Sequence, residues 1–406
     1  MKNILLIIPN MNFGGAQRSF SKLSLMLSEK YNVINVVFNT KVPIAYELGG
    51  TVVSLDVLGG TNTFDKMINF VKRIRRLKKL KQKHQIDVSI SFLEGADFVN
   101  ILSKVSDKII LSIRGSKVSD ETIKGKIGWL RKKILIPYLY KKADWVTCVN
   151  KGIAWELDHY YGLTSVEKTI IYNYYDIEEL RQLATEALDE EYGALLEKPY
   201  LVFSGRVAVE KGIDKLIRVY SALPNRSHYR FVIVGDGPLK KELITLCSDL
   251  GLIWNDRFDR QKIDLADVVF VGAQKNPHKF VAKAQVFLMA SSSEGFPNAL
   301  VEAMACGTPT VSADCPWGPR EILAENTETR RLPEKATYGV LMPMLDIGES
   351  GSDSIRIWTN MLESLLGDVE LLEQYRKMGN ERVNDFNKEA HCILWESVIE
   401  KVGKNK

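Results

Sequence analysis

No run of apolar residues in this 406-residue chain approaches the roughly 18–20 that a membrane span needs, so no helical anchor is expected. Met1-Lys-Asn-Ile-Leu-Leu-Ile-Ile-Pro9 resembles a secretory leader only superficially. Its apolar run is short and stops at Pro9 without a small-residue cleavage site, so it reads as a first β-strand. Cysteine is scarce. Cys148, Cys247, Cys306, Cys315 and Cys392 are odd in number, scattered and mostly in apolar company. They argue against a disulfide framework or a zinc site and for a reducing, cytoplasmic compartment. The G-x-G-x-x-G dinucleotide fingerprint is missing from the first strand-to-helix turn. No D-x-D carboxylate pair is present to carry Mg²⁺ or Mn²⁺, and no metal or cofactor is expected. No base-reading module accompanies the basic residues, which argues against a nucleic-acid partner.

What is present fits a two-domain α/β protein. The chain is longer than the roughly 250–300 residues one core usually serves, and its 45% hydrophobic content is ample for burial. Charge is unevenly placed around a net of +5: residues 1–180 hold 27 Lys and Arg against 17 Asp and Glu, the remainder 28 against 33. The basic half should face something acidic.

The most informative stretch runs from Val286 to Glu321. Val286-Phe-Leu-Met-Ala290 reads as a buried strand, a Ser-Gly-Pro loop follows, a short helix opens at Pro297 and closes before Gly307, and Thr310-Val311 starts another strand. This unit delivers Glu294 at the carboxyl end of a strand, where open α/β sheets bind ligands. The helix start behind it presents backbone amides to an anion, and Glu302 lies one turn in. Two acids so spaced can address two parts of one ligand; a packed crossover with two surface acids would show the same residues.

Upstream, Asn10-Met-Asn-Phe-Gly14-Gly15-Ala-Gln-Arg18 is a glycine turn between the first strand and a helix to about Lys30. Strands are predicted near Val33–Val37, Thr51–Leu55, Val88–Phe92 and Lys108–Ser112, then over Asp144–Asn150 and Thr169–Asn173, with helices between them and a Glu-rich helical stretch over 176–198. Lys66 to Lys83 carries Met67, Phe70, Val71, Ile74 and Leu77 at helical spacing among basic residues, with no acid. Lys124 to Lys142 adds Trp129, Tyr138 and Tyr140. Helices of this kind bind anionic membrane surfaces, although a solvated face whose apolar stripe packs on the sheet reads the same way. From Pro199 the pattern restarts. Tyr200-Leu-Val-Phe-Ser-Gly205-Arg206 leads to Lys211-Gly212, and the five-residue spacing lets a planar guanidinium and a point charge converge on one diphosphate. Strand-to-glycine turns recur at Gly235 and Gly272.

Glu294-Gly-Phe-Pro-Asn-Ala-Leu-Val-Glu302-Ala-Met-Ala-Cys-Gly-Thr-Pro resembles the E-x7-E signature of family 4 retaining glycosyltransferases. Spacing, Gly-Phe-Pro and the trailing Ala-Cys-Gly-Thr-Pro all agree. Gly-Gly-Ala-Gln-Arg18 resembles the family's first loop, and Asp385 to Ile399 its terminal helix. The resemblance implies a GT-B fold: two Rossmann-like doubly wound domains facing a central cleft, with the last helix crossing back to the first. The expected parts are an acceptor-binding domain over 1–180, a linker over 181–198, a nucleotide-sugar domain over 199–385 and a crossover helix over 386–406.

The resemblance further implies that Arg206 and Lys211 clamp the diphosphate. Glu302 would bind ribose hydroxyls, and Glu294 would hold the sugar and stabilise positive charge as the glycosidic bond breaks. Gly14, Gly15, Gly205, Gly235, Gly272, Gly295, Phe296, Pro297, Asn298 and Ala299 line the donor, while Arg18 and Arg114 lie on the acceptor or sugar side. Many members carry a His after the fourth or fifth strand; here the place is Ser112-Ile-Arg114-Gly115-Ser116, and none of the five histidines falls there. Retaining transfer does not require that base, because the departing phosphate can accept the nucleophile's proton. The pattern also occurs in bacterial members that build lipid-linked glycans. A UDP-sugar donor, an N-acetylhexosamine or hexose, a lipid-linked or polysaccharide acceptor and a peripheral position on the cytoplasmic face of the inner membrane are therefore expected. A nucleotide-sugar 2-epimerase of the same fold and a non-catalytic membrane or glycan adaptor are the alternatives.

Overall fold

The computed structural model describes all residues except 13, 119–124, 257–264, 325–330, 347–350 and 405–406, together with the side chains of 126, 127, 351, 352 and 404. The head of the second basic stretch, Lys124 with the side chains of Lys126 and Ile127, lies outside the described residues. The chain forms two compact units, Met1–Asn173 with Glu389–Lys406 and Tyr174–Lys388.

The first unit is built on seven parallel strands among the described residues: β1 (Asn3–Ile8), β2 (Asn32–Val37), β3 (Thr51–Ser54), β4 (Val88–Phe92), β5 (Lys108–Ile113), β6 (Trp145–Cys148) and β7 (Lys168–Ile170). Their spatial order is β3-β2-β1-β4-β5-β6-β7. The unbroken apolar run of β1 follows from burial on both faces of a parallel sheet. Ile4, Leu6 and Ile8 enter one core with Phe20, Leu23, Trp395 and Ile399, while Leu5 and Ile7 enter another with Leu77 and Val99. The terminal helix Lys388–Lys404 thus completes the first core, reinforced at its rim by Lys2–Glu400 at 2.9 Å and Lys30–Glu396 at 2.7 Å.

The second unit holds β8 (Tyr200–Ser204), β9 (Arg230–Val234), β10 (Trp254–Asp256), β11 (Val268–Gly272), β12 (Val286–Met289), β13 (Thr310–Ala313), β14 (Glu334–Ala336) and β15 (Gly339–Met342). Among the described residues their order is β10-β11-β9-β8-β12-β13-β15-β14, parallel except for the β14–β15 pair. Residues 181–198, expected as a linker, belong to this unit. Helix Ile177–Thr185 and the 3-10 stretch Glu190–Glu197 bury Leu180, Ala184, Tyr192 and Leu195, and the buried Arg230 donates to Ala194 O at 2.7 Å. Burying those apolar side chains binds the segment to the second sheet. Each sheet has a switch point, between β1 and β4 and between β8 and β12, and ligands bind at the carboxyl ends of such strands.

Candidate functional site

At the second switch point the loop after β8 meets the loop after β12. Gly212 has φ of 62°, and a Cβ there would lie 2.3 Å from Ala290 O, so only glycine permits this approach. It brings Lys211 Nζ to 2.7 Å from Glu294 Oε1, with both side chains mostly buried. Glu294 is fixed through its backbone, its N–H donating to Pro316 O and its carbonyl accepting from Trp317 N, both at 3.0 Å. Ser292 N donates to Glu210 O at 2.9 Å, tying the two loops together. Arg206 is exposed and pairs with the Glu210 carboxylate. The Pro316–Trp317 and Glu210 contacts that brace the Glu294 loop were missed by sequence reading; only the nearness of Cys-Pro-Trp to the central motif signalled the first.

The predicted glycine turns converge. Gly205 N donates to Val234 O at 2.9 Å and Gly235 N to Gly272 O at 2.8 Å. Gly235 has φ of 139°, and a Cβ there would stand 1.9 Å from Gly205 O. Behind Glu294 the helix Asn298–Ala305 begins at Pro297, with Glu302 half-buried one turn in. Gly295 and Ala299 are also partly accessible, whereas the Phe296 side chain is buried, edge-on to Phe386 at 5.2 Å. Arg320 is occupied by Asp314 and, at 2.8 Å, by Glu334. Two cations, a carboxylate and a helix start therefore surround the end of β8, an arrangement suited to a diphosphate and an adjoining electron-poor centre.

In the first unit Gly14 and Gly15 open helix Gly15–Ser28, with Arg18 in its first turn; Gly14 is extended, a conformation open to any residue. Arg114 follows β5 and donates to Asn173 Oδ1 and, at 3.3 Å, to Ser19 Oγ, so the structure joins it to the helix that carries Arg18. Its charge and, more strongly, burial lower the pKa of His391 to about 3; the neutral ring's Nδ1–H donates to Tyr172 O at 2.9 Å. At the switch point itself stands Glu94, missed in the sequence. It follows Leu93, whose φ of 70° is unusual for a non-glycine residue, and pairs with Arg131 and, at 3.8 Å, Lys117. Beside it Asp97 accepts from Ser91 and Tyr140, each at 2.7 Å, and burial raises its pKa to about 6. The only signal was Leu-Glu-Gly at a strand end.

The basic stretches resolve into two populations. Helix Thr63–Lys83 exposes Phe64, Met67, Ile68 and Val71 as an apolar stripe, while Phe70, Ile74 and Leu77 pack on the sheet. Lys66, Lys72, Arg75, Lys78 and Lys79 are exposed. Arg73 and Arg76 instead donate to backbone carbonyls at Leu58, at 2.9 Å, and at Asp56, at 3.1 Å, and Lys81 is fully buried against Asp107 at 2.8 Å. In the second stretch Trp129 and Tyr138 are exposed, but Tyr140, expected at a bilayer interface, is buried on Asp97. An aromatic residue with a hydroxyl satisfies a buried carboxylate as readily as a headgroup layer. No helix among the described residues is long and apolar enough to cross a membrane.

Residues 184–335 match the family model described as Glycosyl transferases group 1. The N-acetylgalactosamine-N,N'-diacetylbacillosaminyl-diphospho-undecaprenol 4-alpha-N-acetylgalactosaminyltransferase of Campylobacter jejuni is 27% identical, over 96% of this chain and 96% of its own. The lipopolysaccharide outer core galactosyltransferase WaaB in its apo form superposes with a TM-score of 0.72 at 17% identity, covering 99% of both chains. Anabaena Alr3699/HepE in complex with UDP does so at 0.71 and 15%, covering 99% of this chain and 100% of that one. The two Rossmann-like units thus form the GT-B fold of glycosyltransferases.

Proposed function

We propose that this chain, with its group 1 glycosyl transferase domain over residues 184–335, is a retaining, metal-independent enzyme that moves an N-acetylhexosamine or hexose from a UDP-sugar to a lipid-linked glycan or polysaccharide. The observation that carries the reading is the meeting of Lys211 with Glu294 at the β8/β12 switch point, beside Arg206 and the start of helix Asn298–Ala305. A carboxylate holds that place until a donor arrives. The diphosphate then takes Lys211 and Arg206, aided by amides from Gly295 to Ala299, and Glu294 is released to hold sugar hydroxyls. Glu302 accepts from the ribose hydroxyls. As the glycosidic bond breaks, negative charge grows on the leaving phosphate and positive charge on the sugar; the fixed cations stabilise the first and Glu294 the second. An acceptor hydroxyl attacks from the face the phosphate leaves, and the phosphate takes its proton, giving retained configuration without a protein base.

The similarity to the Campylobacter enzyme, whose name specifies a diphospho-undecaprenol acceptor, supports a lipid-linked acceptor here. The exposed stripe Phe64, Met67, Ile68 and Val71, flanked by exposed cations, supports peripheral attachment to an anionic cytoplasmic leaflet. The test is incubation with a panel of nucleotide sugars and membrane extract, with and without EDTA, read by mass spectrometry for transfer and by NMR for anomeric configuration. Sugar transfer with retained configuration, unaffected by EDTA, is expected from a UDP-sugar. An inverted product would overturn the stereochemistry, EDTA-sensitive transfer the metal independence, and sugar conversion without acceptor would establish the 2-epimerase in its place.

A further inference from the structure

The chain passes from the first unit to the second at Asn173/Tyr174 and returns at Lys388/Glu389. The residues just inside both crossings grip the donor loop. Tyr175, 4% exposed, donates its hydroxyl to Asn298 Oδ1 at 2.5 Å, at the first position of helix Asn298–Ala305. Phe386, 3% exposed, packs edge-on against Phe296 at 5.2 Å. Tyr175 N donates to Phe386 O at 2.9 Å, so the two crossings are also bonded to each other. The return is braced in turn: Arg382 lies 5.1 Å over the Phe386 ring and donates to Glu321 O at 2.7 Å.

We infer that Tyr175 is a positioning residue that couples occupancy of the donor loop to the two chain crossings, an inference that rests on the proposed role of Gly295–Ala299 in holding the diphosphate. Asn298 is half-buried at the start of the helix, and the phenolic hydroxyl of Tyr175 from beside the first crossing donates to its side-chain oxygen. Phe296, two residues earlier, is held from beside the second crossing. Drawing the amides of this loop onto an anion therefore acts on both crossings together. By thermodynamic reciprocity, a shift at the crossings alters the affinity of the loop. A tyrosine that only filled space would need its ring and not its hydroxyl.

Tyr175→Phe separates the two, because it keeps the ring and removes one hydrogen bond. Amide hydrogen exchange is the readout, in two arms. Without ligand, the variant should exchange roughly three- to tenfold faster at Gly295–Ala299 and at 383–388 together, with β12 and β13 unchanged. With UDP, the wild type should gain protection at both segments and the variant only at the loop. Unchanged exchange at 383–388 in the first arm, or equal remote protection in the second, would overturn the coupling. Should the wild type ignore UDP, the donor assignment fails while the ligand-free arm still decides the role of Tyr175.

Discussion

The basic side chains of the two units are held in different ways. Within the structural boundaries the first unit carries 30 Lys and Arg against 17 Asp and Glu, the second 25 against 33. In the second unit the cations around the switch point already have carboxylate partners: Arg206 with Glu210, Lys211 with Glu294, Arg320 with Asp314 and Glu334. In the first, Lys66, Lys72, Arg75, Lys78 and Lys79 project from one helix beside exposed apolar residues. A cation with a resident carboxylate can be traded to a diphosphate at a defined place, because desolvation is shared and geometry is preset. Cations that project from a helix surface suit a diffuse anionic surface, where position matters less than number. The titration behaviour also differs. Both units push buried tyrosines and thiols upward, but the first also buries His391, Asp97 and Lys81, whose pKa values move toward neutrality or below it.

The largest effect should come from removing the first unit's solvated cations. Changing Lys66, Lys72, Arg75, Lys78 and Lys79 to Gln should cost about 1 kcal/mol per residue in binding to anionic vesicles before screening, and little at high salt. Arg73 and Arg76 are left intact because they anchor backbone carbonyls. Vesicle sedimentation measures this, and wild type that ignores anionic vesicles at low salt would reduce the helix to a solvated face.

Next in size is Lys211→Ala. Loss of a charge-assisted contact to the developing phosphate charge should lower kcat/KM by about 2–4 kcal/mol of transition-state stabilisation. Steady-state kinetics equal to wild type would remove Lys211 from the clamp. His391→Asn tests the titration contrast. Its folded-state pKa of about 3 lies below the ordinary value, so its contribution is present above about pH 6.5 and is lost as pH falls toward 3. Between pH 6.5 and 5 the wild type should lose about 2 kcal/mol that the variant keeps. Asp97, raised to about 6, acts in the opposite sense in both proteins, so the difference between them isolates His391. Parallel urea-unfolding stabilities at the two pH values would contradict it. The smallest effect separates the acids: Glu302→Ala should weaken UDP binding about tenfold, whereas Glu294→Gln should leave it nearly intact and lower turnover. Calorimetry showing equal losses would dissolve that division.

Much of this was legible because it is local. Fully buried parallel strands announce themselves as apolar runs, as Ile4–Ile8 and Val286–Met289 do, and Glu294 and Glu302 lie on one loop and the helix behind it. The spacing of Arg206 and Lys211 across one turn likewise needs no tertiary information. Helical periodicity also marked the basic helix, but it could not separate Arg73 and Lys81, which turn inward, from Lys72 and Arg75, which do not. That separation depends on which carbonyls and carboxylates neighbouring strands supply.

The sequence by itself determined most of the strands and helices, their order and the chemical types gathered at strand ends, because each follows from side-chain periodicity and backbone preference within a few residues, whereas the three-residue strands Trp254–Asp256 and Glu334–Ala336 are too short to show a period. Only the tertiary structure decided that β8 lies beside β12, which brings Lys211 to Glu294 across 83 positions of chain, and that Tyr175 reaches Asn298 across 123. Such pairings are set by the packing of whole sheets and helices, and a linear spacing carries no trace of them.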